Sequence, residues 1–290
     1  MNKNCHQTIN MRQLCTGYFL YSISIKVLSL PSALANTAGN WAWVSALLGI
    51  LFEITLVGIA SIILNRCNPN KTFFRILCWL ILPLLIAETV ITTVQVYQLA
   101  YTNLFTDLGI TIMVITLIAL GLFFLTRQPR AIFRAGEVLR ILFILGLILA
   151  IIPTIYNLKF NWQDLVHGDA SGIINSTTTH LLFFESATFV LAFGSETHKT
   201  NRDLFKLNLT AIVCGVGYFA LMVLFILLFG SLTRHQTMGL VDITTASRFI
   251  THTGSLDWLI ATSILATLIL RFGMQLVAVV TLIKRGLNRK

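Results

Sequence analysis

The chain contains eight long apolar stretches, and they restrict its possible folds more than any other feature. A helix needs about 20 largely apolar residues to cross the hydrocarbon core of a bilayer. Stretches of this kind cover residues 14–34, 41–64, 73–101, 108–126, 138–156, 173–193, 207–232 and 258–283. They are continuous and too long for the alternating strands of a membrane β-barrel. The pattern predicts an all-α polytopic membrane protein with about eight transmembrane helices, forming a single domain over residues 1–290.

Charged residues are scarce and unevenly placed. Only 11% of residues are charged, against about 25% in soluble domains. With the N-terminus in the cytoplasm, fifteen Lys and Arg residues fall in the inner segments and only Lys159, Arg234 and Arg248 fall outside. This positive-inside bias predicts a multi-pass protein with both termini in the cytoplasm. The net charge of +10 then reflects topology, so we expect contact with anionic lipid at the inner face and no nucleic-acid partner.

The sequence offers little for catalysis or metal binding. None of the five cysteines falls in an outer loop, and their spacings match no metal site. Hydrolase motifs such as G-x-S-x-G and H-E-x-x-H are absent. We therefore expect no enzyme activity, catalytic residue, metal or cofactor. An Ala-Leu-Ala at residues 33–35 resembles a signal-peptidase site, but Lys26 and Pro31 favour a retained first helix.

Five charged residues lie near the predicted mid-depth of spans, where charge is costly and often functional. They are Lys26, Glu53, Glu88, Glu185 and Arg271. Four predicted spans also carry polar residues at helical spacing: Ser22, Lys26 and Ser29 in span one, Glu88, Thr92 and Gln95 in span three, Glu185 and Thr188 in span six, and Ser263, Thr267, Arg271 and Gln275 in span eight. Lipid cannot satisfy such stripes. They predict a polar centre between spans one, three, six and eight.

Two interpretations of these charges stay open. They could pair with one another and hold helices together, which is favoured for Glu53 because no polar stripe surrounds it. For Lys26, Glu185 and Arg271 a functional role is favoured, because Pro31 interrupts span one and polar residues interrupt span six. Broken helices at membrane depth are where many transporters bind substrates or ions.

Several short motifs, in order, resemble the spore germination permease family, the integral-membrane B subunit of nutrient germinant receptors. They are RQL at residues 12–14, VLSLP at 27–31 (like the family's I-L-x-L-P), ANTAGNWAW at 35–43 (like A-x-x-A-G-x-D-A-W), RAGE at 134–137 (like R-x-x-E) and FFE at 183–185 (like F-x-E). The family belongs to the amino acid/polyamine/organocation transporter superfamily. Ser24 and Lys26 stand where the family usually has glycines.

The resemblance implies a transporter fold of two inverted five-helix repeats. Residues 1–157 would form the first repeat and residues 158–290 a second repeat that lacks its last two spans. It also implies ligand contacts at the interrupted middles of spans one and six, with spans three and eight alongside. The implied substrate-binding residues are Ser24, Lys26, Ser29, Glu88, Thr92, Glu185 and Thr188, and the implied ion-coupling or charge-relay residues are Lys26, Glu185, Arg271 and Gln275.

The leading expectation is a germinant-receptor subunit in a bacterial inner membrane, including that of a spore. It would bind a small nutrient such as an amino acid and work with other receptor subunits. Arg271 would permanently supply the positive charge that sodium supplies in related transporters, so action would be sodium-independent. The alternatives are a proton-coupled amino acid transporter and a non-transporting structural subunit.

Overall fold

The computed structural model describes residues 9–66, 72–103, 109–157, 165, 172–182, 186–194, 201–246 and 257–287 of the 290. Within these ranges the regular elements are helices, apart from turns and bends. The α-helices are α1 (Met11–Leu28), α2 (Leu30–Ala38), α3 (Ala42–Arg66), α4 (Thr72–Asn103), α5 (Ile110–Thr126), α6 (Pro129–Asn157), α7 (Ile173–Leu182), α8 (Ser186–Phe193), α9 (Asn201–Phe229), α10 (Gly239–Ala246) and α11 (Asp257–Gly286). Short 3₁₀ helices cover Gly39–Trp41 and Gly230–His235. The all-α prediction is confirmed.

The first predicted span is two helices that meet at Ser29. Pro31 lies in the first turn of α2. Proline has no backbone N–H. The Val27 carbonyl therefore lacks the hydrogen bond that residue 31 would donate in a continuous helix. The predicted interruption of span one is therefore present. The sixth predicted span corresponds to α7 and α8, which lie on either side of residues 183–185, and those three residues are outside the described part.

Among the described residues, four helical segments are long and apolar enough to cross a membrane. They are Leu30–Asn65, Thr72–Thr102, Asp203–Phe229 and Ile260–Gly286. The pair Ile110–Thr126 and Pro129–Leu149 passes together as a fifth, with a bend of 117°. This count of four or five is lower than the predicted eight. Predicted span one is divided between α1 and α2, the described residues of span six form the short α7 and α8, and spans four and five count once as the bent pair.

The outer surface of the bundle is apolar and its interior holds polar residues. Leu80 and Leu122 are more than 60% exposed, whereas Glu88 and Arg271 are less than 5% exposed. This distribution is the reverse of a soluble protein and suits a lipid surround, because hydrocarbon leaves polar groups unsatisfied. A multi-pass membrane protein accounts for both observations.

Helix α1 occupies the middle of the bundle. It packs against α6, α8, α9 and α11, while α3 packs against α7, α8 and α9, and α4 packs against α11. Four aromatic rings, those of Tyr18, Phe133, Phe189 and Phe193, meet beside α1. Gly17 lets the Phe133 ring lie directly on the α1 backbone, since a Cβ at this position would overlap the ring. This packing holds α1 against α6 and α8.

Helix α10 covers the interruption between α1 and α2. Its Leu240 and Ile243 are buried. Ser32 donates a hydrogen bond to the Thr237 carbonyl at 3.0 Å. A Cβ on Gly239 would lie 2.6 Å from the Val27 carbonyl oxygen. The chain before α10 therefore lies against the backbone that the proline leaves open.

Candidate functional site

The candidate site is a buried polar centre around the last turns of α1. Its side chains come from α1, α3, α4, α8 and α11, the helices that pack around this point. Its members are all less than 9% exposed: Tyr18, Tyr21, Ser22, Lys26, Glu53, Glu88, Thr92, Ser186, Thr188, Arg271 and Gln275. Their contacts form two groups, one centred on the Glu53 carboxylate and the other on the Glu88 carboxylate.

Glu53 is the centre of the first group. Its carboxylate pairs with Lys26 across the α1–α3 contact. The other carboxylate oxygen accepts hydrogen bonds from Ser22 at 3.3 Å, from Tyr18 at 3.4 Å, and from Ser186 on α8. Lys26 also donates to Ser22 at 2.7 Å. A buried charge is tolerated only when paired and hydrogen-bonded, and both charges here meet that condition.

Glu88 is the centre of the second group. It accepts hydrogen bonds from the Tyr21 hydroxyl at 3.2 Å and from Thr188 at 3.4 Å. Arg271 from α11 lies 4.6 Å from the centre of the Tyr21 ring and donates to the Tyr21 carbonyl. Its Nε donates to Thr92 at 3.2 Å. Tyr21 thus connects a carboxylate on α4 with a guanidinium on α11, and a cation over an aromatic face gains further stabilisation.

Ser29 fixes the end of α1 to α4. Its hydroxyl accepts a hydrogen bond from the Gln95 amide at 2.7 Å and donates to the Ile25 carbonyl. Ser24 is fully buried, but its hydroxyl donates to the Tyr21 carbonyl on its own helix at 3.4 Å. Ser29 therefore joins two helices of the site, whereas the hydrogen bond of Ser24 stays within α1.

The predicted polar centre between spans one, three, six and eight does form. Lys26, Glu88, Thr92, Thr188, Arg271 and Gln275 lie in it, with Gln275 beside the Tyr21 hydroxyl, and Ser29 lies at its edge, bonded to Gln95. Glu185 lies outside the described residues, so its position stays a prediction. Whether any of these side chains binds a ligand or carries a proton also stays a prediction.

Four members of the centre, Tyr18, Tyr21, Glu53 and Ser186, were in none of the predicted polar stripes. Glu53 was expected only to pair, and it does pair, but it also gathers more polar contacts than its neighbours. Tyr18 and Tyr21 resemble ordinary core aromatics in sequence, and only the fold brings their hydroxyls to Glu53 and Glu88. The spacing of the tyrosines relative to Ser22 and Lys26 places them near that face of α1, which is the one signal the sequence contained.

His180 on α7 borders the Glu53 group. Its ring packs edge-on against Tyr218, with 5.7 Å between ring centres, and lies on Gly49 next to the Ser45 backbone. Gly49 makes room for it, because a Cβ at that position would overlap the imidazole. The described part of the chain contains no cluster of three or more His, Cys, Asp or Glu able to hold a metal.

A second polar feature lies at the start of α10, outside the predicted spans. The Asp242 carboxylate accepts hydrogen bonds from the backbone N–H groups of Thr237 and Met238, at 2.9 and 2.6 Å. Burial nevertheless raises the pKa of Asp242 above its ordinary value, against the opposing effect of these two donors. The carboxylate holds the loop that covers the α1–α2 interruption.

No known family model matches the chain, and no curated protein sequence matches it either. The function must therefore be inferred from the residues and their geometry.

Proposed function

We propose that the protein is a membrane subunit of the nutrient germinant receptor type, which binds a small amino acid at the polar centre around α1. The observation that carries this proposal is the burial of opposite charges, Lys26 with Glu53 and Arg271 near Glu88, on helices next to an interrupted helix. The sequence motifs described above support the family, and the positive-inside bias supports the membrane topology.

The chemistry of the site complements a zwitterion. An amino acid carries a carboxylate, which Lys26 and the Ser22 hydroxyl could bind, and an ammonium group, which Glu53 could bind. Entry of the ligand between Lys26 and Glu53 replaces one ion pair with two, so no buried charge loses its partner. This exchange avoids the large cost of leaving a single charge unpaired inside the protein.

The interruption at Ser29 provides a way for the site to open. Ser29 is held to α4 by one hydrogen bond from Gln95, and the backbone beyond it belongs to a separate helix. Short helices that end at membrane depth can rotate separately, as they do in transporters with broken helices. Movement of α2 relative to α1 would expose Lys26 without breaking a continuous helix.

Thermal unfolding of the purified full-length chain with each of the common amino acids tests the proposal. A ligand at 100 times its Kd stabilises a protein by about 2.7 kcal/mol, which is a measurable rise in Tm. We expect at least one amino acid to raise the Tm in choline as well as in sodium buffer. The double variant Lys26→Met/Glu53→Gln should lose this response.

Lys206→Gln/Asp203→Asn is the matched control, because it removes an exposed Lys–Asp pair with the same change in charge. It should keep the ligand response. The proposal is wrong if no amino acid changes the Tm of the folded protein, or if the double variant at Lys26 and Glu53 responds as the unmodified chain does.

A proton-coupled amino acid transporter is the second candidate. The two buried carboxylates, Glu53 and Glu88, each accept a hydrogen bond from a tyrosine hydroxyl of α1. Buried carboxylates of this kind are suited to proton exchange. Reconstituted vesicles separate this candidate from a receptor: saturable uptake driven by a pH gradient, lost in Glu88→Gln, would favour transport.

A non-transporting structural subunit is the third candidate, and the complete pairing of Lys26 with Glu53 favours it. Here the charges would act only as contacts between helices. Charge-removing variants would then lower Tm and yield, while no amino acid would stabilise the unmodified protein.

A further inference from the structure

A groove runs along the outside of the bundle between α1, α6 and α9. At one end it widens into an open cavity of about 1240 Å³. A narrower apolar cavity of about 360 Å³ continues from it along the same three helices. The two share Phe19, Ile144 and Val213 in their walls, so they form one continuous surface feature. It is separate from the polar centre.

The wide end of the groove is cationic. Its wall contains Arg12, Arg130, Arg140 and Lys206, with Asp203 as the one carboxylate among the lining residues. Lys206 pairs with Asp203 at 3.4 Å, and Arg12 pairs at 3.7 Å with Glu137 nearby. These pairs leave two arginines without a carboxylate partner among the described residues.

Those two arginines are Arg130 and Arg140, and both are half-buried. Arg140 donates to the Thr16 hydroxyl at 3.3 Å instead of pairing with Glu137, the alternative suggested by their spacing on one helix. The Nε of Arg130 is buried and has no hydrogen-bond partner in the described ranges. Both line the same cavity, and guanidinium groups bind phosphate well because it accepts several charge-assisted hydrogen bonds.

The narrow end of the groove fits a hydrocarbon chain. Its wall is apolar and includes Ile23, Leu147, Ile151 and Leu221. Arg140 and Ile151 are eleven residues apart on α6, or about 16 Å at the helical rise. One leaflet contributes about half of a hydrocarbon core of roughly 30 Å. The groove therefore extends from its cations across about one leaflet.

We propose that this groove is a binding site for a phospholipid with an anionic headgroup. The headgroup occupies the cavity that Arg130 and Arg140 both line, with its phosphate at Arg140, and one acyl chain lies along Phe19 and Ile144 toward Leu147. The charge bias places this cationic end on the cytoplasmic side, where the leaflet is negatively charged. Two other ligands fit the groove less well. Free phosphate would bind only at the cationic end, and a lipid with no net charge would not neutralise the arginines.

Native mass spectrometry of the full chain, released from micelles that contain phosphatidylglycerol and phosphatidylcholine at equal amounts, tests the site. We expect phosphatidylglycerol to remain bound preferentially. Arg130→Gln/Arg140→Gln should reduce its retention by at least about tenfold, the loss expected for charge-assisted hydrogen bonds. Arg127→Gln/Arg134→Gln is the matched control, since it removes two exposed arginines of the same segment that do not line the groove.

A second pair of variants tests the apolar end. A Cβ on Gly217, which lines the groove, would meet no described atom within 4 Å, and the same holds for Gly58 outside it. Gly217→Leu should therefore fill the groove without a clash and lower phosphatidylglycerol retention several-fold, while Gly58→Leu leaves it unchanged. Excess glycerol phosphate should not displace the lipid, because it lacks the acyl chain.

Four outcomes would overturn the proposal. Equal retention of the two lipids would mean that the groove holds only bulk lipid, and equal losses in the two arginine pairs would mean a general charge effect. Displacement by glycerol phosphate alone would identify a free-anion site. A change from dimer to monomer in Gly217→Leu, without any lipid dependence, would identify the groove as an interface between copies of the chain.

Discussion

Removing one charge of the Lys26–Glu53 pair should destabilise the protein much more than removing both. In Lys26→Met, the buried Glu53 carboxylate keeps only the hydroxyl donors of Tyr18, Ser22 and Ser186. In Glu53→Gln, the buried Lys26 ammonium keeps only the Ser22 hydroxyl as a partner among the described residues. Either single variant therefore leaves an uncompensated charge inside the bundle.

The magnitudes follow from what each variant leaves behind. Breaking a buried ion pair by removing one partner costs about 3–5 kcal/mol. The remaining hydroxyl groups still form hydrogen bonds with the unpaired charge and reduce this cost. We therefore expect a loss of about 3 kcal/mol in unfolding free energy for each single variant. The double variant Lys26→Met/Glu53→Gln leaves no unpaired buried charge. The glutamine side-chain oxygen can accept hydrogen bonds from the same hydroxyl groups. The double variant should cost at most about 1 kcal/mol, since replacing a buried pair with neutral groups is often close to neutral.

A double-mutant cycle measures this difference by reversible denaturant unfolding in micelles, followed by circular dichroism. The expected coupling energy is about 5 kcal/mol or more, above the range of about 0.5–3 kcal/mol that is usual for residues in contact. Lys206 and Asp203 form the control cycle, because exposed pairs couple by about 0.5 kcal/mol or less. If the two cycles give the same coupling energy, the buried pair does not stabilise the helix contact as described.

Three further variants test other contacts. Gly17→Ala should lower the unfolding free energy by about 1–3 kcal/mol, because its Cβ would overlap the Phe133 ring; denaturant unfolding measures the loss. Gly239→Ala should loosen the cover over the α1 end, since its Cβ would lie 2.6 Å from the Val27 carbonyl oxygen, and faster limited proteolysis before α10 would show it. Asp242→Asn should change the pH dependence of stability: the raised pKa means that the protonated form favours folding, so unmodified protein loses stability as pH rises through that pKa. The Tm of the variant relative to the unmodified chain should then increase with pH.

The sequence was sufficient to predict the helices and the interruption of span one. Apolar length identifies spans directly, and Pro31 interrupts the helix for a local reason, the missing N–H. The sequence was less informative about how the helices combine. Apolar windows cannot show that α5 and α6 meet at 117°, because the bend depends on a linker and on packing against other helices.

The site was predictable where polar residues repeat along one helix. Thr92, Arg271 and Gln275 share faces with other polar side chains, and those faces turn inward. Glu53 stands alone in an apolar stretch, so its partners Lys26 and Ser186 could not be deduced from its own helix. They lie 27 and 133 residues away along the chain, and only tertiary packing brings them together.

The polar contacts of α1 also explain why its last turns are a plausible moving part. Lys26 is bound to α3, Tyr21 to α4 and α11, and Ser29 to α4, in each case through a charge or a hydrogen bond. Apolar packing cannot be exchanged for contacts with a polar ligand, but these interactions can, because a zwitterion offers the same charges and donors. The last turns of α1, next to the interruption, are therefore attached by contacts that an amino acid could replace. The first turns are attached by apolar packing, at Gly17 on the Phe133 ring, which an amino acid could not replace.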